Sequence, residues 1–184
     1  YPGCGYGGSC FPKDIKALIN IAKNYGYKPD LITAVDTVNR AQKEVLFSKL
    51  TAKLGANLKG KRIAVWGLSF KPETDDVREA PALNLIRSIV NAEGQVSAYD
   101  PKAITEAQFY LKGVAVNYCD DKYTALELAD ALVLVTEWKE FRSPDFDLIR
   151  SKMKGNLFID GRNQFKSDFV ESKGFEYMQI GVKD

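Results

Sequence analysis

At 184 residues, with 45% hydrophobic and 27% charged side chains, the chain has the make-up of a soluble globular protein able to bury a sizeable core, as one domain with an appendage or as two small ones. A net charge of +2 is too small to argue for nucleic acid or an anionic membrane as a partner; no run approaches the ~18 apolar residues of a membrane span, and there is no signal-peptide pattern. With no histidine, the chain alone builds no Ser-His-Asp or Cys-His hydrolase and no His-ligated metal site; its three scattered cysteines make neither a disulfide framework nor a zinc cluster, which favours a reducing cytoplasm.

The chain opens on a glycine-rich loop, after which Pro12 suits a first helical position and Ile15, Leu18, Ile19 and Ala22 fall at i, i+3, i+4, i+7. Gly26 closes that helix. Residues 31–54 contain neither Gly nor Pro, and Leu31, Val35, Val38, Val45 and Leu46 keep helical spacing as far as Gly55. At 1.5 Å per residue this predicts a rod of roughly 35 Å, long enough to pack against something beyond its own domain. Residues 57–61 (NLKGK) read as a linker, which sets a boundary between residues 1–56 and 57–184.

Beyond the linker, strands alternate with helices. Strands are expected at 62–68 (RIAVWGL), 96–99, 114–117, 131–136 (ALVLVT), 157–160 and 175–179. Helices are expected at 81–92, 105–111, 123–129 and 145–152. Such alternation implies a parallel sheet covered on both faces, a doubly wound α/β domain.

The opening YPGCGYGGSCFPKD poses the first functional question. Gly3, Gly5 and Gly8 fit G-x-G-x-x-G, but a dinucleotide-binding fingerprint needs a strand before it and a helix opening inside it. Only Tyr1 and Pro2 precede Gly3, and no second strand leads to Asp30, so the glycines more plausibly let backbone pass close to a ligand. Cys10 is the stronger lead, because it stands just before a helix whose positive end favours a thiolate. Lys13 adds positive charge, and Asp14 can orient a water or an ammonium. The competing reading is a small buried thiol that closes a loop.

The segment GYGGSCFPKD resembles the active-site stretch of the UDP-glucose/GDP-mannose dehydrogenase family, its UDP-glucose 6-dehydrogenase branch in particular. GLSFKPETDDVREAP (67–81), TEWKEF (136–141) and FIDGRN (158–163) agree with the same family in the same order. The resemblance implies a helical region with a long central helix, followed by a Rossmann-like parallel-sheet UDP-binding domain. It also implies a piece of a longer enzyme whose amino-terminal NAD-binding domain lies outside these residues. Cys10 is then the nucleophile of a two-hydride oxidation of UDP-glucose to UDP-glucuronate through a thiohemiacetal and a thioester, with NAD as cofactor. Asp14 assists the hydrolytic water. Gly7, Phe70, Lys71 and Arg162 contact UDP-glucose; Lys13 and Arg78 lie toward NAD, Arg78 from across a subunit boundary. The long helix forms a homodimer core, and the fragment alone is expected to be inactive.

Cys4 departs from the family, which usually has proline there; a packing thiol is the expected role. Asp100 ends the second strand, where dinucleotide-binding domains carry a ribose-binding acid, but that is an analogy of fold. Two alternatives stand beside this reading: a GDP-mannose or UDP-N-acetylmannosamine dehydrogenase, and a non-catalytic nucleotide-binding and dimerisation module.

Overall fold

The computed structural model describes residues 3–182; Tyr1 and Pro2, which entered the argument against a dinucleotide fingerprint, lie outside them. Helices α1 (Phe11–Asn24) and α2 (Asp30–Leu54) precede β1 (Arg62–Trp66). There follow α3 (Pro81–Asn91), β2 (Gln95–Tyr99), α4 (Ile104–Tyr110), β3 (Val116–Tyr118) and β4 (Ala131–Leu134). The last elements are α5 (Phe146–Lys152), β5 (Leu157–Asp160), α6 (Ser167–Ser172) and β6 (Glu176–Gln179). The six strands form one sheet in the order β3-β2-β1-β4-β5-β6, every pairing parallel. This is the expected doubly wound α/β architecture.

Alternation along β1 divides the core. Ile63 and Val65 face a cluster completed by Leu46 and Leu50 of α2 and by Leu85, Ile86 and Ile89 of α3. Ala64 and Trp66 face the other side, against Phe141, Ile149 and Phe158. Burying one such aliphatic side chain contributes roughly 1.5–3 kcal/mol. The expected linker is part of this core, since Leu58 is fully buried and its amide donates to the Ala92 carbonyl at 2.7 Å.

Two elements differ from expectation. The helix expected at 123–129 is only a 3₁₀ turn at Thr124–Leu126. Asp121 Oδ1 takes the amides of Tyr123 and Thr124, and Leu128 sits at a φ of 58°, a backbone turn that stops helical propagation. Helix α6 was not foreseen; it has six residues, and of these only Val170 is buried.

The face that α2 buries inverts its apolar pattern. Asp36, Asn39, Lys43, Leu46 and Leu50 turn inward at alternating spacings of three and four, whereas Leu31 and Val38 are 79% and 66% exposed. The amino-terminal half of the rod thus presents a polar seam to the molecule and an apolar face to its surroundings.

Candidate active site

The polar seam of α2 carries the glycine loop. Asn39 grips Tyr6 as a neighbouring strand would: the Tyr6 amide donates to Asn39 Oδ1 at 2.8 Å, and Asn39 Nδ2 donates to the Tyr6 carbonyl at 3.1 Å. Gln42 Nε2 donates to the Gly3 carbonyl at 2.7 Å. A loop without secondary structure must find partners for its peptide groups somewhere, and here a helix supplies them.

The segment after β1 closes on the loop from the other side. The Gly8 amide donates to the Arg78 carbonyl at 2.7 Å. A Cβ built on Gly7 would stand 2.5 Å from the Glu79 carbonyl oxygen, and one on Gly8 would stand 2.9 Å from Cε2 of Phe70. Glycine is required at both positions because backbone and ring occupy the space of a side chain.

A cleft of about 660 Å³ opens where this loop, α2 and the carboxyl ends of the strands meet. Gly7, Phe70, Lys71 and Arg162 all line it, with Tyr6, Asn39 and Glu137. These residues come from the connections after β1, β4 and β5, around the switch in strand order between β1 and β4, where open α/β sheets bind ligands. The Lys71 ammonium stands 5.3 Å from the centroid of the Phe70 ring. Arg162 Nε donates to the Val135 carbonyl at 2.7 Å and lies 3.0 Å from Glu137 Oε2. Its one hydrogen points at the carbonyl, so the contact with Glu137 is coulombic, without an aligned hydrogen bond. Arg162 Nη2, Glu137 Oε2 and the Tyr6 hydroxyl are buried without hydrogen-bond partners, a polar edge suited to a ligand with both donors and acceptors. Burial, then the nearby Asp36 charge, pushes the Tyr6 phenol up.

The turn that aims Arg162 is fixed by a fully buried carboxylate. Asp160 accepts the Arg162 amide at 2.8 Å, the Gln164 amide at 2.7 Å and the Tyr177 hydroxyl at 2.6 Å. Asp100 plays the same part after β1 and β2. Its Oδ2 accepts the amides of Leu68 and Ser69 and the Trp138 indole N–H, and its Oδ1 accepts the amides of Lys102 and Ala103. The analogy with a ribose-binding acid therefore fails at Asp100, whose oxygens are occupied and buried.

Cys10, Lys13, Asp14 and Arg78 are not among the residues lining the cleft; they form a second group at the mouth of α1. Cys10 is the N-cap residue of α1 and is exposed, its Sγ 3.6 Å from Ser9 Oγ. The Asp14 amide donates to the Cys10 carbonyl at 2.9 Å, and the exposed Lys13 and Asp14 side chains pair at 3.3 Å. Arg78 Nε and Nη2 fork onto the two oxygens of Asp76, each at 2.9 Å. Hydrogen bonds from that guanidinium, with a smaller part from Ser9, hold the Asp76 carboxyl below its usual range. Cys4 is buried, as a packing thiol should be, and burial pushes it up.

Glu79 joins the two groups. Its carboxylate accepts from Lys16 Nζ of α1 at 2.7 Å and from Lys43 Nζ of α2 at 2.9 Å. These bonds, Lys16 first, hold the carboxyl down at about 2. Residues Asn39, Gln42, Glu79 and Glu137 escaped the reading of the sequence. Asn39 and Lys43 share an inward row with Asp36, Leu46 and Leu50, but nothing in the sequence marks that row as the buried one.

Residues 64–167 match the UDP-glucose/GDP-mannose dehydrogenase family, UDP binding domain, and residues 1–41 match the central domain of the same family. The chain belongs to the UDP-glucose/GDP-mannose dehydrogenase family. It is 47% identical to the UDP-glucose 6-dehydrogenase of Pseudomonas aeruginosa over 98% of its length, and 41% identical to that of Rhizobium meliloti over all of it. It spans only 41% and 42% of those two proteins. Among solved structures, a UDP-glucose dehydrogenase from Pyrobaculum islandicum superposes with a TM-score of 0.80 at 30% identity, over 97% of this chain and 38% of that one. A UDP-D-ManNAc dehydrogenase from Pyrococcus horikoshii gives 0.77 at 32%, over 98% and 40%. Helical region and sheet domain are thus both shared with the family.

Proposed function

We propose that the chain is the thiol-bearing and UDP-binding part of an NAD-dependent UDP-glucose 6-dehydrogenase. The observation that carries this reading is the convergence of Gly7, Phe70, Lys71 and Arg162 on one cleft, with the exposed Cys10 two residues beyond the glycine that Phe70 covers. Lys71 and Arg162 supply positive charge for a diphosphate, and the Arg162 fork suits paired oxygens. Glu137, acceptor-only when ionised, faces neutral donors such as hydroxyls. The cleft's volume falls within the ~300–1,000 Å³ usual for small-molecule sites.

Two NAD⁺ molecules, bound in succession, would supply the oxidising power, one hydride from C6 going to each. The cations this chain offers for holding each are Lys13, on an exposed first turn, and Arg78, which keeps three guanidinium N–H groups after its fork onto Asp76. The sulfur of Cys10 adds to the C6 aldehyde, forming a carbon–sulfur bond that keeps the half-oxidised sugar attached. After the second oxidation that bond is a thioester. Asp14 helps water add to it, the carbon–sulfur bond breaks, and the carboxylate leaves with the thiol restored.

In this reading residues 1–56 present the thiol and pair with a second copy through α2, and residues 57–184 bind the nucleotide. The exposed Leu31, Val35 and Val38, which also line the cleft, support the homodimer, because an uncovered apolar stripe favours association. Light scattering on a clean monomer would count against it. Three free thiols fit a cytoplasmic setting. Turnover is assigned to the longer parent chain, so these 184 residues alone should produce no NADH from UDP-glucose.

The deciding experiment is Cys10→Ser in the parent enzyme, which should abolish UDP-glucuronate formation while UDP binding persists. Undiminished product would overturn the mechanism. The likeness to the Pyrococcus horikoshii enzyme keeps one alternative, a UDP-N-acetylmannosamine substrate; turnover of the two sugar nucleotides side by side decides between them.

A further inference from the structure

We infer that Glu79 is a positioning residue for the thiol: held between Lys16 of α1 and Lys43 of α2, its carboxylate fixes where Cys10 stands relative to the cleft. The inference rests on the function proposed above and adds to it a residue that touches neither sugar nor sulfur.

Three observations carry it. First, α1 is held lightly: apart from its packing on α2 and the edge-on contact of the Phe11 ring with Tyr6 at 4.6 Å, it buries little. Only Pro12 and Ile19 of its fourteen residues are buried, Leu18 and Ile21 are exposed, and no side chain caps its amino terminus. The helix that starts after Cys10 is therefore only lightly fixed by burial, and its pair to Glu79, half exposed at 52% and 43%, contributes placement of the helix more than stability. Lys16 lies six residues from Cys10 on one rigid helix, roughly 9 Å along its axis, so a shift at the lysine is passed on to the sulfur.

Second, Lys43 is almost completely buried, at 4% side-chain exposure, and Glu79 is its ion-pair partner at 2.9 Å. A buried ammonium needs such a partner, which fixes the carboxylate against α2 as firmly as the lysine itself is fixed. Third, Glu79 adopts a φ of 55°, left-handed backbone that is costly for a residue with a Cβ. Such a conformation persists only where its surroundings determine it, and it turns the Glu79 carbonyl against Gly7 while the side chain reaches both lysines. Backbone and side chain of one residue thus hold the thiol loop from below and from the side.

The test uses the full-length parent. Lys16→Met removes the arm to α1 and leaves the Glu79–Lys43 pair intact, so the fold is spared. The expected result is a fall in kcat of about 10- to 100-fold, since misplacement by about an ångström can cost that much. KM for UDP-glucose and the Kd of UDP should stay within twofold, and Lys16→Arg should restore most of the rate. Glu79→Gln should reproduce the loss with a lower melting temperature, because it also strands Lys43. Hydrogen exchange gives a readout independent of turnover: amides of residues 11–24 should exchange faster in Lys16→Met, and those of α2 at the wild-type rate. Unchanged kcat with unchanged exchange in α1 overturns the positioning role. So does a loss of rate matched by an equal loss of UDP affinity, or one that Lys16→Arg does not repair. Failure of the underlying reading looks different: the wild-type parent would not oxidise UDP-glucose, or Cys10→Ser would keep its rate.

Discussion

Gly7→Ala puts the architecture of the thiol loop to a quantitative test. The new methyl carbon would lie 2.5 Å from the Glu79 carbonyl oxygen, 2.8 Å from its carbon and 3.1 Å from the Ala80 nitrogen. All three are backbone atoms, so no flexible side chain can swing away. Restoring an ordinary contact needs a separation of nearly an ångström, and overpacking of that kind costs about 1–3 kcal/mol. The same displacement stretches the 2.7 Å bond from the Gly8 amide to the Arg78 carbonyl, worth about 0.5–1.5 kcal/mol. For a chain of this size each kcal/mol lowers Tm by about 2–4 °C, so calorimetry should find the variant roughly 3–18 °C less stable. In the parent, kcat should fall about 100-fold, because Cys10 follows Gly7 by three residues in the same loop and moves with it. A variant that melts within 1 °C of wild type and keeps its rate would refute the close approach and the loop geometry built on it.

Glu79→Gln should show a pH-dependent penalty. A carboxyl held at about 2 instead of 4.5 contributes stability that is complete above about pH 4.5 and is lost as the pH falls through 2, so the difference from wild type in urea titrations should shrink steadily over that interval. Asp100→Asn should cost about 3 kcal/mol in urea unfolding, since an amide nitrogen would face backbone and indole donors that now meet a carboxylate; a cost below about 1 kcal/mol would mean that these bonds matter less than their geometry implies. Of the three thiols, only Cys10 should react with iodoacetamide in the folded protein, with Cys4 and Cys119 following after denaturation; mass mapping of the alkylated residues checks it.

What the sequence disclosed, and what it hid, follows the range of the forces involved. Strand β5 was readable to the residue, because LFID is a short apolar run that the sheet buries on both faces. Residues 123–129 misled, because a helical spacing of apolar residues carries no warning that Asp121 will claim the first two amides. Helix α6 was invisible since a single inward residue has no period. The four cleft residues were reachable through motif resemblance, since no spacing brings Phe70 against Gly8, whereas Cys10 was already marked by its place before a helix start. Asn39 and Glu79 were out of reach because their partners lie 33 to 63 residues away, and side chains of that kind look solvated until the fold closes. Of the apolar residues of α2, Leu31, Val35 and Val38 face outward, as the length of the rod suggested, while Leu46 turns inward among the polar residues that hold the loop.

The rod α2 has a mechanical consequence. Its first half grips the loop that carries the sulfur, and its second half is cemented into the sheet through Leu46 and Leu50. The glycine loop at Gly3 and Tyr6 and the sheet that forms the cleft are therefore tied to one unbroken helix. In the function proposed above, the rod is the anvil: a part of the parent that closes on the cleft would press against a helix already anchored at both halves.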